Sequence, residues 1–396
     1  MRWEDKIIDV QGHLHKENCD GWLLYDFQKI NPLARAFLSL PDDLFTSRRF
    51  FYWIPVRGEP VKIVHAIETH VLDHLPGRHI IYLKWQEFEE KLAFILKGIK
   101  TIAMEFSPRC SLPYVSKVDA GLVDLIRSFS IDVVSSANFL QYYTCALDDE
   151  QIDMHLEAAT FLDKTAQIIW EKIAHALKHG QTIDEYQVTQ WIQDRIIQEG
   201  FTNEDRPLCA VNENSANPHF TVKKHTARII QKEDFILIDL WCKKNHPKAV
   251  YADITRVAYA GSSAPKRHQE IFNIVRKAQQ SAADYVADRF AKKDYPKGCE
   301  VDEVCRSVID QAGYQAYFSH RTGHNIYTQD HGPGAHIDSL ETRDYRQIIP
   351  RSCFSIEPGI YLPNEFGVRL EYDILCIDEQ SIRITGGQQE HIETLL

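Results

Sequence analysis

A chain of 396 residues is longer than one typical domain and fits two. Its 44% hydrophobic and 26% charged residues describe a folded globular protein, and no run approaches the roughly 20 apolar residues that cross a bilayer, so no membrane partner is expected. A formal net charge of −11 removes nucleic acid as the main partner, because phosphate binding needs a concentrated basic surface.

The acidic excess fits either a carboxylate-rich cation site or an ordinary solvated surface and does not separate the two. Nine cysteines with no Cys-x-x-Cys pair read as reduced thiols. The polar start, Met1 to Lys6, lacks the apolar core of a signal peptide, so the expected location is the cytoplasm.

In chain order, residues 1–145 read as a mixed α/β domain. Apolar, β-prone runs at Gly21–Tyr25, Arg49–Pro55 and His79–Leu83 predict strands, and Trp85–Leu96 and Tyr114–Phe129 predict helices. None carries a cluster of chemically active residues. A boundary is expected near Cys145–Asp148, where strand-like sequence gives way to a helical pattern.

Residues 146–396 begin with a predicted helix from Asp148 to His179, stopped by Gly180. A second helix is expected with Thr182 as N-cap and Glu185 completing a capping box, ending at Gly200. Strands follow at Phe235–Leu240 and Val250–Ala260. The order then repeats, with helices over 266–292 and 301–312 and strands at Cys353–Glu357 and Val368–Ile377. Asp239 and Asp253 are 14 residues apart, as are Glu357 and Glu371, and the pairs are offset by 118 residues, in register with the helix starts. Two helix–helix–strand halves around a pseudo-two-fold axis would each bring two carboxylates to a shared centre.

Each of these carboxylates lies in or beside strongly apolar sequence. A single strand aspartate commonly alternates outward to solvent. Four on strands covered by helices have little solvent to reach. Crowded carboxylates repel by about 4 kcal/mol per pair at ~4 Å and an effective dielectric of about 20. Either their pKa values rise or cations neutralise them. Arg256 and Arg369 are the only basic residues close by in sequence, too few for four anions. Two divalent cations balance them, and oxygen ligands with one imidazole suit Mn²⁺, Co²⁺, Zn²⁺ or Fe²⁺. The imidazole is sought in the segment from His320 to Gly334, where His320, His324 and His331 interleave with Gly323, Gly332 and Gly334. His219 lies in a polar stretch before the first acidic strand. Read singly, each of these histidines is equally a hydrogen-bonded structural residue.

The ordered strings Leu237-Ile-Asp239, Tyr251 to Arg256, His320-x-x-Gly-His324 with His331 seven residues on, Ser355 to Tyr361, and Gly367 to Glu371 resemble the pita-bread metallopeptidases. That family includes aminopeptidase P, prolidase, methionine aminopeptidase and the creatinases. The resemblance covers residues 146–396, and the preceding region has the size of the creatinase-type N-domain of aminopeptidase P and prolidase. It implies an α+β protein: an N-terminal creatinase-type α/β domain, then a pita-bread domain with a curved antiparallel sheet flanked by helices. It implies that Asp239 and Asp253 hold one metal, His324 and Glu357 the other, and that Asp253 and Glu371 bridge them, with Mn²⁺ the first expectation. His219, His331 and His320 match substrate-contacting histidines, and Tyr361 and Arg369 match positions behind the ligands. His320, Tyr361 and Arg369 are accordingly expected to bind substrate. The implied activity is hydrolysis of Xaa-Pro bonds, as aminopeptidase or dipeptidase, on peptides with proline in the second position, by a homodimer.

Two cations lower the pKa of a bridging water enough to supply hydroxide at neutral pH and polarise the scissile carbonyl. His219 and His331 are then expected to donate to the carbonyl or oxyanion, and Glu357 to carry the proton to the leaving nitrogen. Three departures bear on substrate choice: Trp241 where a small residue is usual, a longer loop between Asp239 and Asp253, and Arg321 in place of a glycine. The competing readings are a creatinase-like C–N hydrolase and a non-enzymatic binding module. Both are typically marked by lost ligands or catalytic histidines, and no such loss is seen in this sequence.

Overall fold

The computed structural model describes residues 2–396, and the chain divides into two compact units, Met1–Thr144 and Cys145–Leu396. The first unit opens with α1 (Trp3–Lys16), followed by β1 (Gly21–Asp26), α2 (Pro32–Phe37), β2 (Phe50–Pro55), β3 (Val61–His65) and β4 (Arg78–Tyr82). Next come α3 (Trp85–Ile95), β5 (Thr101–Met104), α4 (Ala120–Ser128), β6 (Asp132–Ser135) and α5 (Ala137–Thr144). The six strands form one mixed sheet in the order β4-β3-β2-β1-β5-β6. Its one fully sealed glutamate, Glu105, has both oxygens partnered: Oε1 accepts from Trp22 and Ser136, and Oε2 from Asn31.

The helix predicted over Tyr114–Phe129 is shorter than expected. Asp119 caps α4 by accepting the Leu122 N–H at 2.9 Å, and the chain before it is loop with a 3₁₀ turn. Val115 and Val118 continue the apolar spacing because they bury into the core from that loop.

The second unit comprises α6 (Asp149–Lys178), α7 (Glu185–Gln198), β7 (Phe201–Thr202), β8 (Leu208–Val211), β9 (Phe235–Lys244) and β10 (Ala252–Tyr259). It continues with α8 (Lys266–Ala291), α9 (Gly298–Gln311), β11 (Asn325–Ile326), β12 (Cys353–Ile356), β13 (Gly359–Leu362) and β14 (Phe366–Arg369). The chain closes with β15 (Tyr372–Cys376), β16 (Ile382–Thr385) and β17 (Glu393–Thr394). Strands pair as β17-β10-β9-β7 with β8 also on β9, as β11-β12-β15-β16, and as the hairpin β13-β14.

Asp148 starts α6 with a reciprocal capping box: its side chain accepts the Gln151 N–H, and the Gln151 amide oxygen accepts the Asp148 N–H. The cap of α7 is Asp184 rather than Thr182, accepting the Gln187 N–H at 2.8 Å. Glu185 instead turns inward to Val211, Asn214 and Arg228, so no capping box forms there. The strand expected over Val368–Ile377 is broken at Leu370 and Glu371 into β14 and β15, and that break releases Glu371 from the ladder.

Period-2 alternation sorts β9 between two cores. Ile236, Ile238 and Leu240 pack beneath α6 and α7 with Leu162, Ile169, Val188 and Ile192. Phe235 and Leu237 face the other way, into the core built with α8, α9, Phe354, Ile356 and Val368. Asp239 shares that second face, and on β10 so do Asp253, Thr255 and Val257. The carboxylates of the first half therefore point at the second half.

Candidate metal centre

The β9–β10 register sets Asp239 opposite Thr255 and Asp253 opposite Trp241. The Thr255 hydroxyl lies 3.1 Å from Asp239 Oδ1 and 2.7 Å from Glu371 Oε2, and it accepts from Arg369 Nε at 3.1 Å. Arg369 also forms an ion pair with Asp239 through Nη2. Two backbone N–H groups tie the halves together at the site: that of Asp253 donates to the Asp373 side chain at Oδ2, 3.0 Å away, and that of Glu371 to the Thr255 carbonyl at 3.3 Å. Arg256 does not serve the centre. Its guanidinium reaches the carbonyls of Glu371, Gly386 and Gly387 behind it.

His324 enters from the turn before β11. Gly323 precedes it because any Cβ there would strike the Ser355 carbonyl. The His324 N–H donates to Ser355 Oγ at 3.1 Å, and the Ser355 N–H donates to the His324 carbonyl at 2.9 Å. Imidazole Nδ1 faces the Asp330 carbonyl at 3.1 Å, which makes it the protonated nitrogen. Nε2 is left facing Glu357 Oε1 at 3.5 Å and Asp253 Oδ2 at 3.9 Å. One donor atom from each of Asp253, His324 and Glu371 lies within 4.8 Å of the others.

Asp253 Oδ1 and Glu371 Oε1 are both sealed from solvent without a hydrogen-bond donor, unlike the oxygens of Glu105. Burial, with neighbouring carboxylates adding to it, pushes Asp253 and Glu371 well above the usual carboxylate range. Burial raises Glu357 to about 7, although Arg369 and Arg321 oppose the rise. Burial holds His324 neutral, well below its ordinary value. Lone pairs without donors, crowded acids and a neutral imidazole with a fixed tautomer form a donor set that cations satisfy.

A cavity of about 800 Å³ opens above this floor, lined also by Trp241, His219, Phe220 and His331. His219 and His331 are exposed on its wall. His320 and Tyr361 are elsewhere: they bond to each other at 2.7 Å, and Tyr361 lies 3.4 Å from Arg369 Nη1, off the cavity lining. Trp241 is on the cavity wall.

The sequence reading missed Thr255, Asp330 and Asp373. Thr255 was accessible through alternation from Asp253. Asp330 also lines the cavity, and Asp373 is the acceptor that fixes Asp253. A second group with metal-binding side chains, His155, Cys353 and Asp373, lies deeper. Both His155 nitrogens are engaged there, with the Tyr251 carbonyl at 2.7 Å and the Thr385 hydroxyl at 2.8 Å. Cys353 Sγ is 4.0 Å from Nδ1 and 3.6 Å from Nε2.

Fold and donor set together define the class: an α+β domain whose two halves bring together side chains that could hold a metal ion. The chain matches the model of metallopeptidase family M24 over residues 162–378 and belongs to that family, whose members share the pita-bread fold. It is 31% identical over 385 residues to an uncharacterized peptidase of Staphylococcus epidermidis, covering 94% of this chain and 96% of that protein. Among solved structures, it is similar to dipeptidase PepE from Mycobacterium ulcerans, with TM-score 0.68, 19% identity and coverage of 100% and 98% of the two chains. It is also similar to the prolidase from Pyrococcus horikoshii OT3, with TM-score 0.59, 22% identity and coverage of 98% and 100%. Among the described residues, no helix is long and apolar enough to cross a membrane.

Proposed function

We propose that the protein is a dinuclear metal-dependent peptidase cleaving Xaa-Pro bonds. The observation carrying this reading is the pair of sealed, donorless oxygens, Asp253 Oδ1 and Glu371 Oε1, beside His324. Asp239 and Asp253 would hold one cation, His324 and Glu357 the other, with Asp253 and Glu371 shared, and Mn²⁺ is the first candidate. When bound, the cations supply Lewis-acid polarisation of the scissile carbonyl and a water acidified enough to attack at neutral pH.

The remaining work falls to side chains. Arg369 and Thr255 hold Asp239 and Glu371 in place. His219 and His331, on the cavity wall, donate to the substrate carbonyl as negative charge develops on its oxygen. Glu357, with Oε1 held by the Ser355 hydroxyl at 3.3 Å, carries a proton to the leaving nitrogen. Trp241 and Phe220 offer flat apolar surface suited to a proline ring. The resemblance to a dipeptidase and a prolidase supports the same substrate class.

The test is hydrolysis of an Xaa-Pro dipeptide and an Xaa-Pro-Xaa tripeptide by Mn²⁺-loaded protein beside a chelated control. Metal-dependent cleavage before proline is expected, and the preferred length separates dipeptidase from aminopeptidase. Failure on both peptides with metal still bound would remove the proline assignment while leaving the centre in place.

A further inference from the structure

Asp330 was not among the expected ligands, yet it stands where a ligand would. Its carbonyl accepts from His324 Nδ1, so its backbone is fixed relative to the imidazole at the centre. The loop carrying it is clamped to β11 from the far side. The Gly332 N–H donates to the Asn325 carbonyl at 2.7 Å, and the Gly334 N–H donates to Asn325 Oδ1 at 2.8 Å. One donor atom from each of His324, Asp330 and His331 lies within 4.8 Å of the others. Ligands around one cation, each at about 2.0–2.2 Å, stand no more than about 4.4 Å apart, so this grouping is close to coordination size.

The Asp330 carboxylate shares the defect of Asp253 and Glu371. Its Oδ1 is sealed from solvent and accepts no hydrogen bond, while Oδ2 faces His331 Nε2 at 3.8 Å. The Asp239 and Glu357 carboxylates are its charged neighbours, which places it among the same anions. Oδ1 is closed to water, so a bare cation suits it better than a bulky ammonium group. With Asp330 the centre carries five carboxylates, which two divalent cations and the Arg369 guanidinium balance in charge.

We propose that Asp330 is a further carboxylate ligand of the metal centre, on the cation that His324 holds. The inference rests on the reading of the site as a metal centre and adds one ligand to it. It also ties metal occupancy to the cavity wall, because the same loop presents His331.

The test is cobalt binding by the full chain, read by absorption spectroscopy. No cysteine lines the cavity, so the O/N-ligated wild-type centre should show cobalt d–d bands without a sulfur-to-cobalt charge-transfer band. Asp330→Cys places a thiol at the proposed ligand position and should introduce that near-ultraviolet band. Asp330→Asn should weaken one Mn²⁺ site in calorimetric titration by at least roughly tenfold, the scale on which even supporting partners act. A cobalt-loaded Asp330→Cys without the band, or Asp330→Asn with wild-type Mn²⁺ affinity, overturns the proposal. Wild-type protein that binds no cobalt overturns the metal-centre reading itself, a distinguishable result.

Discussion

Thr255 stands between carboxylates from the two halves, accepting from Arg369 and sitting within hydrogen-bond reach of both Asp239 and Glu371. Thr255→Val keeps the shape and removes the hydroxyl, leaving Glu371 Oε2 without its short bond. Metal affinity should fall by roughly 10–100-fold, as for partners that orient ligands, while the fold persists. Calorimetric Mn²⁺ titration checks this, and unchanged affinity would show that the hydroxyl orients nothing. The putting of charge into apolar strands made Asp239, Asp253, Glu357 and Glu371 visible in the sequence. Thr255 is equally patterned, two residues from Asp253, but a threonine is unremarkable in a strand. Asp330 had no such signal, because its position depends on the side chain of Asn325 and on no local periodicity.

At the level of elements, signals within a few residues were readable and those set by distant packing were not. The start of α6 follows from the Asp148 and Gln151 capping box, which is contained in four residues. The false start at Tyr114 arose because Val115 and Val118 are buried by tertiary contacts while lying in a loop. The break between β14 and β15 was hidden for the same reason: Leu370 and Glu371 are apolar-flanked, but the Glu371 N–H bonds across to β10. Gly323 shows how tightly the β11 and β12 elements meet. A methyl group there would strike the Ser355 carbonyl. Gly323→Ala should cost about 1–3 kcal/mol through overpacking and displace His324, lowering Mn²⁺ content. Wild-type melting temperature and metal content together would show that the turn yields freely.

Across the whole molecule, the crowded acids couple stability to pH and metal. Glu357 and Asp330 have native values of about 7 and 8, above their ordinary 4.5 and 3.8. In metal-free protein each keeps its proton to higher pH when folded than when unfolded. Its contribution is therefore fully present below the unfolded value and is lost as pH rises through about 7 to 8. Cations bind the deprotonated forms and reverse that loss. The gap in melting temperature between Mn²⁺-loaded and chelated protein should widen from about pH 5 to about pH 8. A constant gap would show that these carboxyls do not titrate as the cluster requires.

The division of donors between the halves also sets an order in time. As the chain is synthesised, Asp239 and Asp253 emerge first, on strands whose facing surface does not yet exist. The imidazole of His324 arrives 71 residues after Asp253, and both glutamates more than a hundred residues after it. A nascent chain with only its first half complete holds two of the centre's carboxylates and lacks His324. On the proposed reading, capture of the full complement of metal would wait for β12, β14 and β15 to close over β10, so loading would report that the two halves of the domain have met.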